Sequence, residues 1–139
     1  NENMEKIKIY NYIKQTKKKI LGICIGMQVL YETSEEGNID CLGIIKGKVK
    51  KFVSTSKYPI PQMGWNNVNC LNGLEKLNGY YYFANSFYVK DKYYEIANCN
   101  YSKSFSSIIE YRNILGCQFH PEKSSKNGIN FLNFYLDSL

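Results

Sequence analysis

The 139 residues suit one compact domain, and 44% apolar with 22% charged residues lies close to the soluble globular average, which argues against a disordered chain. No apolar run approaches the roughly 18 to 20 residues of a membrane-spanning helix, and the opening residues lack a long apolar stretch with a small-residue cleavage site; the expected compartment is the cytoplasm. The net charge of +6 comes from 18 basic against 12 acidic residues, but every cation except Arg112 is Lys, which weakens a nucleic-acid reading because phosphate and base recognition favour the bidentate Arg fork.

In chain order, Met4 to Thr16 carries a loose helical period through Met4, Ile7, Tyr10 or Asn11, and Ile13 or Lys14. It predicts a surface helix ending in the run Lys17, Lys18, Lys19, a solvated basic end favourable to the helix dipole. Ile20-Leu21-Gly22-Ile23 reads as a buried parallel strand and Cys24 to Glu32 as a helix, which makes a strand, turn, helix unit. From Lys46 to Tyr111 short β-prone pieces alternate with turn residues: Gly47–Val53, Met63–Val68, Tyr80–Ala84, Phe87–Val89, Tyr93–Ala97 and Ser107–Tyr111, several of them as hairpins. Ile114–Phe119 is a last strand, broken by His120-Pro121-Glu122, and Asn127–Leu139 carries Ile129, Leu132, Leu136 and Leu139 at helical spacing, a core-facing helix. With no repeat or linker, residues 1–139 read as one α/β domain. The chain opens in a helix that needs a preceding strand, so an N-terminal portion is expected to be absent.

Five cysteines, Cys24, Cys41, Cys70, Cys99 and Cys117, contain no CxxC pair. The odd count argues against a disulfide framework, and Cys117 with His120, the single histidine, forms a CxxH lacking a second half-site, so no metal is expected. Gly22-Ile23-Cys24-Ile25-Gly26 is a G-x-C-x-G sequence between strand and helix, the pattern of a nucleophile elbow. Small Gly22 and Gly26 permit the sharp turn, Cys24 is presented above the sheet edge, and the helix N-terminus is expected to lower the thiol pKa. The Ile25 N–H then points where an oxyanion would develop. A buried, inert cysteine is the competing reading. A thiol nucleophile needs a base, and the base needs an orienting group. His120 stands at a strand end, and Glu122, two residues along an extended segment, is expected to project to the same side, with Pro121 stiffening the link.

Gly22-Ile23-Cys24-Ile25-Gly26-Met27-Gln28 together with Phe119-His120-Pro121-Glu122 resembles the class I (triad) glutamine amidotransferases, which hydrolyse glutamine and pass ammonia to a synthase. Within that family, Pro61-Gln62-Met63-Gly64-Trp65-Asn66, Tyr81 to Phe87 and Ser34-Glu35-Glu36-Gly37 are similar to the HisH branch, the glutaminases of imidazole glycerol phosphate synthase in histidine biosynthesis. The resemblance runs from Met4 to Leu139 and implies a flavodoxin-like mixed sheet flanked by helices. It implies that Cys24 is the nucleophile, His120 the general base and acid, and Glu122 its orienting partner. Ile25 supplies the oxyanion N–H; Gln28, Glu36, Ser86 and Phe87 match positions that hold L-glutamine. Glu36 makes sense as counter-ion to the α-ammonium. Trp65 and Lys123 match positions facing a HisF-type cyclase subunit. No metal or organic cofactor is called for, because oxyanion donors and the thiolate activate the amide.

Two departures stand out. Asn85 replaces the family's usual His, as expected of a relative serving another acceptor, for example in surface-sugar amidation. The family's first strand and a Pro-Gly-Val-Gly type loop have no counterpart, and that loop supplies a second oxyanion N–H. A fragment with Ile25 alone is expected to be a weak catalyst with an exposed sheet edge, or only a binding module.

Overall fold

The computed structural model describes residues 1–137, so the predicted helix position Leu139 lies outside the described residues. Helix α1 (Glu2–Gln15) is capped by Asn1, whose side-chain oxygen accepts from the N–H groups of Asn3 and Met4 at 2.9 and 3.2 Å. Tyr10 and Ile13 lean on the core, while Met4, Ile7, Ile9 and Tyr12 stay exposed. The helix stops at Gln15, so Lys17 to Lys19 do not form its end as expected. Lys19 instead donates to the carbonyl of Leu136, at the C-terminal end of α3 (Ser125–Asp137), where its positive charge favourably meets the negative end of that helix's dipole.

The main sheet holds six strands: β1 (Ile20–Ile23), β5 (Gln62–Cys70), β6 (Gly79–Asn85), β8 (Glu95–Tyr101), β9 (Lys103–Tyr111) and β10 (Ile114–Cys117), in spatial order β1-β10-β9-β8-β5-β6. Only β1 and β10 run parallel, with Ile23 opposite Cys117; the remaining pairs are antiparallel. A second sheet of four short strands, β2 (Thr33–Ser34), β3 (Ile39–Asp40), β4 (Lys48–Lys51) and β7 (Phe87–Tyr88), is ordered β3-β2-β4-β7. This is a mixed α/β sheet with flanking helices, as expected.

Alternation along β9 and β10 sends successive side chains to opposite faces. Ile108 and Leu115 join a core with Phe83, Phe105, Phe119 and Phe131 beneath α3, while Ile109 and Ile114 join Met27, Leu30, Tyr31 and Ile45 on the side of α1. Burial on both faces explains why these strands read as near-continuous apolar runs.

Three boundaries differ from expectation for non-local reasons. The helix after Cys24, α2, covers only Ile25–Gln28 rather than reaching Glu32. The carbonyls of Val29, Leu30 and Tyr31 accept from the backbone of Leu42, Gly43, Ile44 and Ile45, partners that displace the next helical turn. Strand β8 starts at Glu95 rather than Tyr93, because Asp91 Oδ1 accepts from the N–H groups of both Tyr93 and Tyr94 at 2.9 Å and holds them in a turn. β10 ends at Cys117, short of Phe119, as the chain turns so that the His120 N–H donates to the Tyr82 carbonyl on β6 at 2.8 Å.

No helix among the described residues is long and apolar enough to cross a membrane.

Candidate active site

Cys24 sits one residue beyond β1 with φ 55°, left-handed backbone that a non-glycine residue rarely adopts. Its N–H donates to the Cys117 carbonyl at 2.8 Å, which ties the strained residue to the end of the neighbouring parallel strand. The close turn depends on Gly22: a Cβ there would lie 2.6 Å from the Gly26 carbonyl oxygen and 2.8 Å from its carbon. Gly26 is different. A Cβ at that position meets nothing within 4 Å, so the steric need expected of both glycines falls on Gly22 alone.

The thiol pKa is not lowered as expected: burial outweighs the downward pull of the N–H group at the start of the four-residue α2. Burial pushes the Cys24 thiol up; hydrogen bonds from Ile25 N–H and Gln118 work downward, and the carboxylates of Glu122 and Glu36 add an upward push. Ile25 N–H thus points at the sulfur side of the turn, with its side chain exposed.

His120 lies three residues beyond β10, beside the strand that leads into Cys24. Its Nδ1 is 3.0 Å from Glu122 Oε2. The contact arises differently from expectation: Pro121–Lys123 forms a 3-10 turn, and this turn, rather than strand alternation, swings Glu122 back to the imidazole. Ser124 Oγ donates to the His120 carbonyl at 2.6 Å and accepts from Tyr82 N–H at 2.9 Å, so the turn is clamped to β6 on both sides. Behind it Gly128 of α3 packs directly on the Pro121 carbonyl, leaving no room for a side chain. The bond to Glu122 leaves His120 Nε2 as the nitrogen free for chemistry; no hydrogen bond joins the ring to Cys24 Sγ.

Cys24, Ile25, Gln28, Glu36, Ser86 and Phe87 line one cavity of about 280 Å³ with Pro61, Met63, Ala84 and Asn85. That volume falls just below the roughly 300–1,000 Å³ typical of drug-sized ligands and suits a single amino acid. Gln28 is buried, and its Nε2 donates to the Phe87 carbonyl at 3.0 Å and to Gln118 Oε1 at 2.9 Å. Both N–H groups are thereby committed, which leaves its Oε1 as the polar atom to offer a ligand. Glu36 is exposed at the rim, and its carboxylate forms no ion pair among the described residues. Cys117, the other half of the CxxH pair, is buried with its Sγ donating to the Phe119 carbonyl, and burial pushes its thiol well up.

Two residues escaped the sequence reading as contributors, Asn85 in the cavity wall and Gln118 beside Cys24 but outside that lining. Gln118 is fully buried and donates from Nε2 to Cys24 Sγ at 3.6 Å. Asn85, noted only as a departure, accepts from Gln62 at 2.9 Å and donates to the Phe87 carbonyl at 2.9 Å. The available signal was a lone polar residue between buried Cys117 and Phe119, and again at the end of an apolar strand.

Trp65 and Lys123 meet on a single patch. The Trp65 ring stands edge-on to Tyr82 at 6.2 Å, and Lys123 Nζ lies 5.8 Å from the same Tyr82 ring. Met63, Trp65 and Tyr80 are all exposed on the outer side of the β5–β6 hairpin, and Met63 also borders the cavity.

The class-I glutamine amidotransferase family model matches residues 1–136. Imidazole glycerol phosphate synthase subunit HisH 1 of Vibrio vulnificus (strain YJ016) is 37% identical, over 98% of this chain and 72% of the relative. Subunit HisH 2 of Campylobacter jejuni (strain RM1221) is 42% identical, over 98% of this chain and 71% of the relative. A solved structure described as a glutamine amidotransferase superposes with a TM-score of 0.68 over 96% of this chain and 68% of that one; at 13% identity the likeness is one of fold.

Proposed function

We infer the function from one premise: the chain belongs to the class I glutamine amidotransferases. It is a glutaminase of the HisH type, converting L-glutamine to glutamate and ammonia. In our reading Cys24 loses its proton to His120 and attacks the side-chain amide carbon of glutamine. The oxygen of the tetrahedral intermediate takes up negative charge and accepts from Ile25 N–H. His120 returns the proton to the leaving nitrogen, ammonia departs, and a glutamyl thioester remains on Cys24. Water, deprotonated by His120, then cleaves the thioester and regenerates the thiol. Glu122 holds Nδ1 and stabilises the imidazolium that forms twice per cycle.

The observation that carries this reading is the convergence of Cys24, Ile25, Gln28, Glu36, Ser86 and Phe87, from three separate stretches of chain, on one amino-acid-sized cavity. Glu36 would pair the substrate's α-ammonium, and Gln28 Oε1 would accept from another substrate N–H. The missing His120 to Cys24 bond is in keeping with catalytic hydrogen bonds that close only in the substrate complex.

Ammonia goes to a HisF-type cyclase docked on the face bearing Trp65, Tyr82 and Lys123. Support comes from the curated relatives, which are named as subunits of a synthase, and from an exposed aromatic patch contiguous with the cavity mouth. Such an enzyme works in the cytoplasm. The test is glutamate release from glutamine by the chain, alone and with a HisF-type cyclase, beside Cys24→Ala. Turnover stimulated by the cyclase and lost in Cys24→Ala is expected; turnover retained in Cys24→Ala overturns the reading.

A further inference from the structure

The polar groups around Cys24 form a run of side-chain amides that the triad does not use. The Phe87 carbonyl accepts from Gln28, Gln28 donates to Gln118 Oε1, and Gln118 Nε2 donates to Cys24 Sγ, at 3.0, 2.9 and 3.6 Å. Gln118 is fully buried and its backbone is pinned on β9, where its N–H donates to the Ser107 carbonyl at 2.9 Å. The direction of the run is fixed by chemistry. Phe87 offers only an acceptor, so Gln28 must point its NH2 at it and at Gln118, which forces Gln118 to turn its oxygen to Gln28 and its NH2 to the sulfur.

We propose that Gln118 positions the Cys24 sulfur and stabilises its thiolate through this donated hydrogen bond, with Gln28 as the residue that locks the amide in the donating orientation. The inference rests on the reading of Cys24 as nucleophile. A fixed neutral donor matters here because the charged side chains that act on the sulfur, Glu122 from the turn after β10 and Glu36 from the segment after β2, are both anionic and oppose a thiolate. Buried Cys117 beneath adds no cation. Gln28 also lines the cavity, so the residue that would meet glutamine sets the donor to the nucleophile.

The test is the pH profile of Cys24 alkylation by iodoacetamide, with the site read by peptide mass spectrometry, in the full chain and in Gln118→Met. The variant keeps volume and removes the donor. Its alkylation midpoint should move up by about one pH unit, a tenfold change in thiolate equilibrium. At neutral pH the rate should fall only about threefold, because a more basic thiolate is also more nucleophilic. Glutaminase kcat should fall with KM little changed, and Gln28→Met should give a smaller shift of the same sign. If Gln118→Met does not fold, Gln28→Met with Gln118→Met together leaves no orphaned amide and must show the same upward shift. A wild-type profile with an unchanged midpoint in these variants overturns the role of Gln118. A wild-type Cys24 that is alkylated no faster than Cys41, whether or not glutamine is present, removes the nucleophile reading itself.

Discussion

Gly22→Ala and Gly26→Ala should behave as opposites, although the two glycines flank Cys24 in one motif. A methyl group at Gly22 meets the Gly26–Met27 peptide group at three atoms: Gly26 O at 2.6 Å, Gly26 C at 2.8 Å and Met27 N at 3.0 Å. None of these atoms is the end of a flexible side chain, so α2 must withdraw by roughly 0.8 Å to restore ordinary contact. Overpacking of this kind costs about 1–3 kcal/mol. For a chain of this length that is a drop in Tm of roughly 4–12 °C. The same shift carries Ile25 N–H away from the sulfur, and a misplacement near 1 Å costs about 10²-fold in rate. At Gly26 the methyl group meets nothing within 4 Å, and a helical glycine replaced by Ala stabilises by about 0.4–1 kcal/mol. Thermal unfolding followed by circular dichroism, with glutamate release in the presence of cyclase, reads both effects. Equal Tm for Gly22→Ala and wild type, or a large loss in Gly26→Ala, would refute the steric reasoning.

Glu122→Gln should lower kcat by roughly 10- to 100-fold, less than Cys24→Ala, because the amide still accepts from Nδ1 but carries no charge, and the position is half exposed; a steady-state assay reads the difference. Alkaline titration should unfold the protein between about pH 9 and 12. Burial pushes the Cys70 and Cys99 thiols up to about 11 and about 12, so above pH 9 the unfolded chain releases protons that the native state retains, and stability falls as pH rises. Denaturant midpoints across that range check the sign, and Cys99→Val should flatten the slope. Trp65→Ala should weaken cyclase binding by about 2 kcal/mol, measured by calorimetric titration, if this ring anchors the docking face. Treatment with a chelator should leave turnover intact, and loss restored by added zinc would contradict a purely thiol-based reaction.

What was legible in the sequence was local. The elbow around Cys24 and the apolar runs of β1 and β10 follow from neighbouring residues and period, and the cavity members Gln28, Glu36, Ser86 and Phe87 came from motif resemblance. What was hidden depends on partners far along the chain. The early stop of α2 is decided by residues 42–45, and Lys19 serves a helix more than a hundred residues away. The two-residue strands β2 and β3 are too short to leave a period. Gln118 and Gln28 find each other across 90 positions, so neither amide could be assigned a direction before the fold was known. The 3-10 turn that brings Glu122 to His120 relies on Gly128, whose fit against Pro121 is likewise visible only in three dimensions.

The most direct measurement of the central claim is covalent capture with a glutamine-analogue affinity reagent such as a diazoketone amino acid, mapped by peptide mass spectrometry. The account predicts a single adduct on the Cys24 sulfur, slowed by excess glutamine and absent in Cys24→Ala. Labelling at Cys41 or Cys70 in its place, or labelling at Cys24 that glutamine fails to slow, would contradict it.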